Sequence, residues 1–550
     1  MSSYPLRRLL IHALCSTIHS RPTKDSTCVR ESCTLVDYSL LMQQDARPGI
    51  RNEGDTEERN GPMSREISRR DFIKQTAAGT AAASLLGLSS CSTPTKAAKS
   101  EKLNVLFIMS DQHNARALRC LGNDEIETPS LDGLADDGWR FPRAFCQTAQ
   151  CCPSRYTLWT GRYAHSHGLR WNGVVEPLEE TTIGEVFSDA GYSTGTIGKH
   201  HMMNDPRKHG FAHVVSMPEY NKFLAAERLP NAYQKGDWLP FKISGPVGAS
   251  DADNDNHPMG FWTSETLKFL RENRDNPFCL WYSFFGPHTP ITPSRPWADM
   301  YDPSSLSLPG NFDYSRDSVP WMLANARNNF RKMNEEDHRK VLALYYGLVS
   351  QMDYNIGRVL EELERLGIAD KTIVVYTADL GEMMAEHGAW TKFVLGLDAT
   401  VRVPMIIRLP GAATGGKEIT ELVGLIDLMP TLCDLAGLEY PDKVQGRSLV
   451  PLLQGGNVSW RKTIFSEIGY PGRAAGLCSI ARTHTHKYVH HENRGEPFEE
   501  LFDYERDPWE TRNEAENPAY ADVLASLKAD VKEWNATTDH APMYPISKPG

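Results

Sequence analysis

Asn104-Val105-Leu106-Phe107-Ile108-Met109-Ser110-Asp111-Gln112 is the stretch that decides the fold. Five consecutive apolar residues end on a carboxylate. A strand with one wet face alternates apolar and polar residues, whereas an unbroken run is buried on both faces, as in a parallel sheet covered by helices. The pattern recurs at 192–197, ending on Gly198-Lys199, and at 278–285, running into Gly286-Pro287-His288. It recurs again at 372–377, shortly before Asp379, and 403–407 offers a fifth strand. Helical patterns separate these runs at 129–138, 153–160, 264–273, 337–366 and 427–436. The alternation predicts an α/β fold: a mostly parallel sheet sandwiched by helices. Ligands of such sheets bind at the carboxyl ends of the strands. Asp111, Lys199, His288 and Asp379 all follow strand ends, so they are expected to converge.

Beyond Gly446 the pattern changes to short strands near 462–467 and 487–491 and a helix at 521–534. This predicts a catalytic domain over 103–445 and a smaller α+β subdomain over 446–550. The histidines at 484, 486, 490 and 491 lie in that subdomain without a matching second ligand group, and read as structural or as part of a substrate rim.

The chain has 550 residues, 40% hydrophobic and 23% charged, as expected of a globular protein. A formal charge of −11 argues against a nucleic-acid partner, although a local cationic pocket remains compatible with it. Eleven cysteines without a repeating spacing do not form a disulfide framework, and no Cys-x-x-Cys pair suggests zinc.

The N-terminal hundred residues read as an address. Residues 1–62 are polar and without motif, a non-native or disordered extension, and Met63 is the favoured start. Ser68-Arg69-Arg70-Asp71-Phe72-Ile73-Lys74 resembles a twin-arginine motif, and an Ala-rich apolar run follows at 76–88. That run is short for a bilayer span and has the flanks of a signal peptide. Leu88-Ser89-Ser90-Cys91 resembles a lipobox, with Cys91 the lipidated residue. Residues 63–91 are thus expected to be a signal and 92–102 a linker. The expected route is the twin-arginine export machinery, leading to a periplasmic or outer-surface protein held to the membrane by lipid alone.

Cys151-Cys152-Pro153-Ser154-Arg155, followed by Thr160-Gly161-Arg162, opens the predicted helix at 153–160. It resembles the Cys-x-Pro-x-Arg signature of the formylglycine-dependent sulfatases, members of the alkaline phosphatase superfamily. The resemblance runs from about 103 to about 534. It implies that a formylglycine-generating enzyme oxidises Cys151 to formylglycine (3-oxoalanine). The hydrated aldehyde would attack sulfur with one hydroxyl and release sulfate through the second, an exit that a serine lacks. On this resemblance Arg155 braces the nucleophile, Lys199 grips sulfate, and His201 is the base for the second hydroxyl. His200 is expected at the surface. His288 and Lys392 would bind substrate, His288 protonating the leaving oxygen. Asp111, Gln112, Asp379 and the modified Cys151 would hold Ca2+ or Mg2+, for which carboxylate and amide oxygens are suited. Leu501-Phe502-Asp503 through Asp507-Pro508-Trp509-Glu510 resembles the family's C-terminal segment, which shapes the substrate mouth.

One position departs from the pattern. The residue after Asp379 is Leu380, where the family has a metal-reaching Asn or His, and a leucine cannot coordinate. Glu382 is a geometrically awkward substitute. The leading expectation is a sulfuric ester hydrolase acting on a sulfated small molecule or glycan. The alternatives are a phosphonate or phosphate ester hydrolase, for which the Asp-Gln pair also occurs, and a metal-impaired binder of sulfated ligands.

Overall fold

The computed structural model describes residues 102–313, 330–392, 396–411, 415–456, 458–469, 475–493 and 498–541. The twin-arginine motif, the lipobox and Cys91 lie outside the described residues. Among those described, no helix is long and apolar enough to cross a membrane.

The central sheet has eight strands. In chain order they are β1 (Asn104–Asp111), β2 (Trp139–Arg140), β3 (Ser193–Gly198), β4 (His213–Val215), β5 (Phe278–Pro287), β6 (Thr372–Ala378), β7 (Met405–Arg408) and β8 (Lys417–Glu418). Their spatial order is β8-β2-β7-β6-β1-β5-β3-β4. β1 lies parallel between β5 and β6, and β3 is parallel to both β5 and β4. All eight residues of β1 are buried, which is what its unbroken apolar run demanded. The fifth strand predicted at 403–407 forms as β7 but runs antiparallel to β6. Periodicity reports that a segment is a strand, not its direction.

Helices cover both faces. On one lie α1 (Pro129–Asp136), α3 (Pro258–Glu272) and α4 (Glu335–Arg365); on the other lie α2 (Cys151–Thr160) and α5 (Leu428–Ala436). Side chains alternate between these layers along β5. Trp281 stacks on Phe107 at 3.9 Å and meets Trp159 of α2, whereas Tyr282 hydrogen-bonds Thr263 of α3. α3 begins six residues before the predicted 264. His257 caps it and Pro258 occupies its first turn, a start signal that the apolar periodicity does not carry. The 31 residues of α4 start at a reciprocal cap between Asn334 and Asp337.

The C-terminal part builds a separate antiparallel sheet in the order β9 (Ile464–Ile468), β10 (Ala475–Arg482), β11 (His486–Asn493) and β12 (Phe498–Asp503). α6 (Ala521–Thr537) packs on it through Leu527 and Val531 against Ala481, Tyr488 and Leu501. Three of the four clustered histidines face carboxylates of β12: His486 with Asp503 at 4.0 Å, His490 with Glu499 at 3.9 Å and His491 with Glu500 at 2.7 Å. They are cross-strand pairs of a sheet.

Candidate active site

The carboxyl ends of β1, β3, β5 and β6 meet the N-terminus of α2. β1 carries an irregularity between Met109 and Asp111 in its pairing with β5, which re-aims the end of the strand. Asp111 is fully buried there. Gln112 follows in a left-handed conformation with φ 58°. Its backbone N–H donates to Asp379 Oδ1 at 3.0 Å, tying the ends of β1 and β6 together.

Arg155 is the hub. Its Nη2 lies 2.9 Å from Asp111 Oδ2 and its Nε 2.8 Å from Asp379 Oδ2. Its Nη1 donates to the Lys199 carbonyl at 2.6 Å and to Ser283 Oγ at 2.8 Å. A guanidinium presents a rigid fork of donors, so one residue fixes the ends of four strands. Burial works against ionisation of Arg155, but the neighbouring Asp379 and Asp111 outweigh it and raise the pKa. Ser154 Oγ donates to the Asp379 carbonyl at 2.5 Å, giving a role to the variable position between Pro153 and Arg155.

Cys151 was expected just ahead of the helix. It is the first residue of α2, after the N-cap Gln150, because Asn172 Oδ1 accepts the Cys152 N–H at 2.9 Å and anchors the first turn. Its Sγ therefore sits at the positive end of the helix. It lies 3.9 Å from Asp111 Oδ1 and 2.9 Å from Lys392 Nζ. Burial, followed by the Asp111 charge, pushes the thiol pKa up, so it stays protonated. A thiolate nucleophile needs the opposite environment.

Lys199 leaves β3 through Gly198 at φ 97°, where a Cβ would lie 1.8 Å from the Ser283 carbonyl oxygen. Only glycine permits that approach. Lys199 Nζ then reaches Asp111 Oδ2 at 2.6 Å and lies 4.4 Å over the Phe285 ring. The segment beyond is not extended as the sequence reading assumed: His201 has φ 56°. Ligand atoms of Asp111, Cys151 and His201 fall within 4.8 Å of one another. His200 is half-buried instead of superficial, its Nδ1 accepting the Met202 N–H at 3.3 Å. His288 Nε2 lies 4.0 Å from Asp111 Oδ1 while its Nδ1 contacts the Thr289 carbonyl at 2.5 Å. Burial, helped by Lys199 for His201 and by Lys392 for His288, holds both imidazoles well below the usual histidine range. Both are thus neutral.

The donor set fits a hard divalent cation. Two buried carboxylates, Asp111 and Asp379, share Arg155, and the Gln112 amide oxygen lies 2.8 Å from Lys392 Nζ beside Cys151, oxygen donors of the kind that Ca2+ and Mg2+ take. Burial and then the adjacent Asp111 charge raise Asp379 to about 7, the repulsion that a cation would offset. Burial would raise Asp111 as well, but the Lys199 and Arg155 charges hold it well below the carboxylate range. Leu380 points into the core, fully buried, and offers only its carbonyl, to the His113 N–H at 3.0 Å. Sequence reasoning overlooked Ser283, Ser154, Asn172 and Tyr345, whose hydroxyl donates to the Gln112 carbonyl at 3.1 Å. Of these only Ser154 stood inside a recognisable motif.

Sheet, helices and carboxyl-end site define an alkaline phosphatase-like hydrolase. The sulfatase family model matches residues 103–438, and a model described as the C-terminal part of N-sulphoglucosamine sulphohydrolase matches 385–537. An arylsulfatase of Clostridium perfringens is 30% identical over 78% of this chain and 93% of its own length. An N-acetylglucosamine-6-O-sulfatase of Bacteroides thetaiotaomicron is 28% identical, over 82% and 88%. The solved phosphonate monoester hydrolase of Agrobacterium radiobacter superposes with a TM-score of 0.69 at 26% identity, covering 79% and 96%. The chain belongs to the sulfatase family and is an enzyme of that family.

Proposed function

We propose that the chain hydrolyses sulfate monoesters carried by carbohydrate, with Cys151 converted to formylglycine and a Ca2+ or Mg2+ ion held by Asp111, Gln112 and Asp379. The observation that carries this reading is the convergence of Cys151, Lys199, His201, His288 and Lys392 around the Asp111–Arg155–Asp379 hub. The carbohydrate class is supported by the N-acetylglucosamine-6-O-sulfatase relative. When present, the oxidised residue supplies a two-oxygen nucleophile, and the cation supplies positive charge against the sulfate and that nucleophile. Everything else falls to coded side chains. Lys199 and Lys392 bracket the sulfur position and bind the anionic ester. Neutral His201 accepts a proton beside Cys151, and His288, neutral in the free site, takes up a proton when the anionic ester binds and passes it to the departing alcohol. Arg155 keeps the carboxylates apart at fixed geometry.

The N-terminal signal extends the reading to an exported protein tethered at Cys91, oxidised in the cytoplasm before twin-arginine export. The test is mass spectrometry of the peptide spanning Cys151, from protein made with a formylglycine-generating enzyme, alongside multiple-turnover sulfate release. An unmodified cysteine in a fully active preparation would refute it. A phosphonate or phosphate ester hydrolase is the second reading, favoured by the Asp111-Gln112 pair and the phosphonate monoester hydrolase superposition. Matched sulfate and phosphonate esters separate the two by their kcat/KM.

A further inference from the structure

We infer that Glu382 is a positioning residue for the reaction, one carboxylate that sets both the Gln112 amide and the backbone entering Lys392. The inference rests on the reading of Gln112 and Lys392 as site residues. Glu382 is 2% exposed. Its Oε2 accepts from Gln112 Nε2, and its Oε1 accepts from the Thr391 N–H and, at 3.3 Å, from the Met384 N–H. Both oxygens are engaged, so Glu382 is not a stand-in ligand for position 380. It acts through its neighbours.

Two of those neighbours are strained. Gln112 has φ 58° and Thr391 φ 70°. A left-handed β-branched residue is an outlier that persists only where its surroundings hold it. Glu382 binds the amide of one and the N–H of the other, and Met383 N–H closes the turn on the Thr391 carbonyl at 3.2 Å. The orientation of the Gln112 amide follows from chemistry. Lys392 Nζ, at 2.8 Å, has no lone pair to accept with, so the atom facing it is Oε1. The other end of the amide, Nε2, therefore faces Glu382 and donates to it. Glu382 thereby turns an oxygen toward Lys392, whose Nζ is also 2.9 Å from Cys151 Sγ.

Glu382→Gln tests this. Its amide oxygen can still take the Thr391 and Met384 N–H groups, leaving its NH2 against Gln112 Nε2. Gln112 must then flip and present donors to Lys392. Ca2+ affinity of the full chain, by calorimetry with Ca2+ alone, is expected to fall about 10–100-fold, and KM for a sulfate ester to rise. The exchange Gln112→Glu with Glu382→Gln restores donor against acceptor and is expected to recover binding, with Gln112→Glu alone binding less tightly than the exchange. Unchanged Ca2+ affinity in Glu382→Gln overturns the inference. So does an exchange variant no better than Glu382→Gln, or no better than Gln112→Glu. Should Glu382→Gln lose its thermal transition, the exchange variant decides by the same criterion. Gln112→Ala with undiminished Ca2+ affinity would bring down the site reading itself.

Discussion

Two buried charge networks in this molecule use the same residue types to opposite ends. At the carboxyl ends of the central strands, Asp111 and Asp379 share Arg155, and Lys199 presses on Asp111. Behind the other, Lys487 of β11 bonds Glu510 and, at 2.7 Å, the Gly396 carbonyl. Arg482 lies 3.6 Å from Asp398, and the Tyr504 hydroxyl sits 2.6 Å from Asp398 and 2.5 Å from Glu510. In the second network each charge closes on an opposite one, and Asp398 is held at about 2 because Arg482 and Lys487 outweigh its burial. In the first, like charges crowd together and Asp379 rises to about 7. Burial of charge alone therefore does not mark a site. What marks it is a set that fails to close on itself and converges on a reactive atom.

The sharpest break is expected at Cys151. Cys151→Ser keeps an oxygen nucleophile without a second hydroxyl, so sulfate release should stop at one equivalent per enzyme or less. Cys152→Ser should be mild, since consecutive side chains leave a helix about 100° apart and Cys152 does not share the direction of Cys151. Sustained turnover by Cys151→Ser, or equal losses in both, would remove Cys151 from the mechanism. Next come Lys199→Ala and His288→Ala, each expected to lower kcat/KM about 10²–10⁴-fold with the thermal transition kept. A lost transition would move these residues into the structural network.

The apolar run of β1 and its repeats announced the sheet because burial on both faces leaves no alternation to misread. The strand ends named Asp111, Lys199, His288 and Asp379 for the same reason. The antiparallel turn of β7 was not legible, since direction depends on connections and not on pattern. Ser283 and Tyr345 were invisible because a lone buried hydroxyl has no sequence signature. β10 also escaped, its mixed Ala475–Arg482 sequence taking its strand character from partners on both sides. His200 was misplaced because Gly198 and His201 bend a segment that looks extended on paper.

Arg155→Met and Lys487→Met put the two networks side by side. Removing one partner of a buried ion pair costs about 3–5 kcal/mol, so both should lower stability in chemical denaturation without metal. Ca2+ should restore part of the loss in Arg155→Met, because an ion bound by the freed carboxylates stabilises the folded state by mass action. It should stabilise Lys487→Met only as much as it stabilises the parent, so that variant's deficit should stay unchanged. Equal rescue of both, or of neither, would erase the distinction between an open and a closed network.

The smallest effect belongs to the closed side, at His491. Burial lowers its pKa, but Cys478 and Glu500 outweigh it and raise the imidazole to about 10. A folded pKa above the unfolded value means that the protonated group stabilises the fold. That contribution is complete below the unfolded histidine pKa of about 6.5, and it is lost as pH rises through about 10. His491→Gln should therefore lose stability at neutral pH and show a flatter decline toward alkaline pH than the parent, measured by denaturation from pH 6 to pH 10, roughly the span between the two pKa values. Activity per folded molecule should not change, because His491 answers to Glu500 across the sheet and to nothing at the strand ends. Parallel stability curves would mean that this pair, although buried, contributes as little as an ordinary surface ion pair.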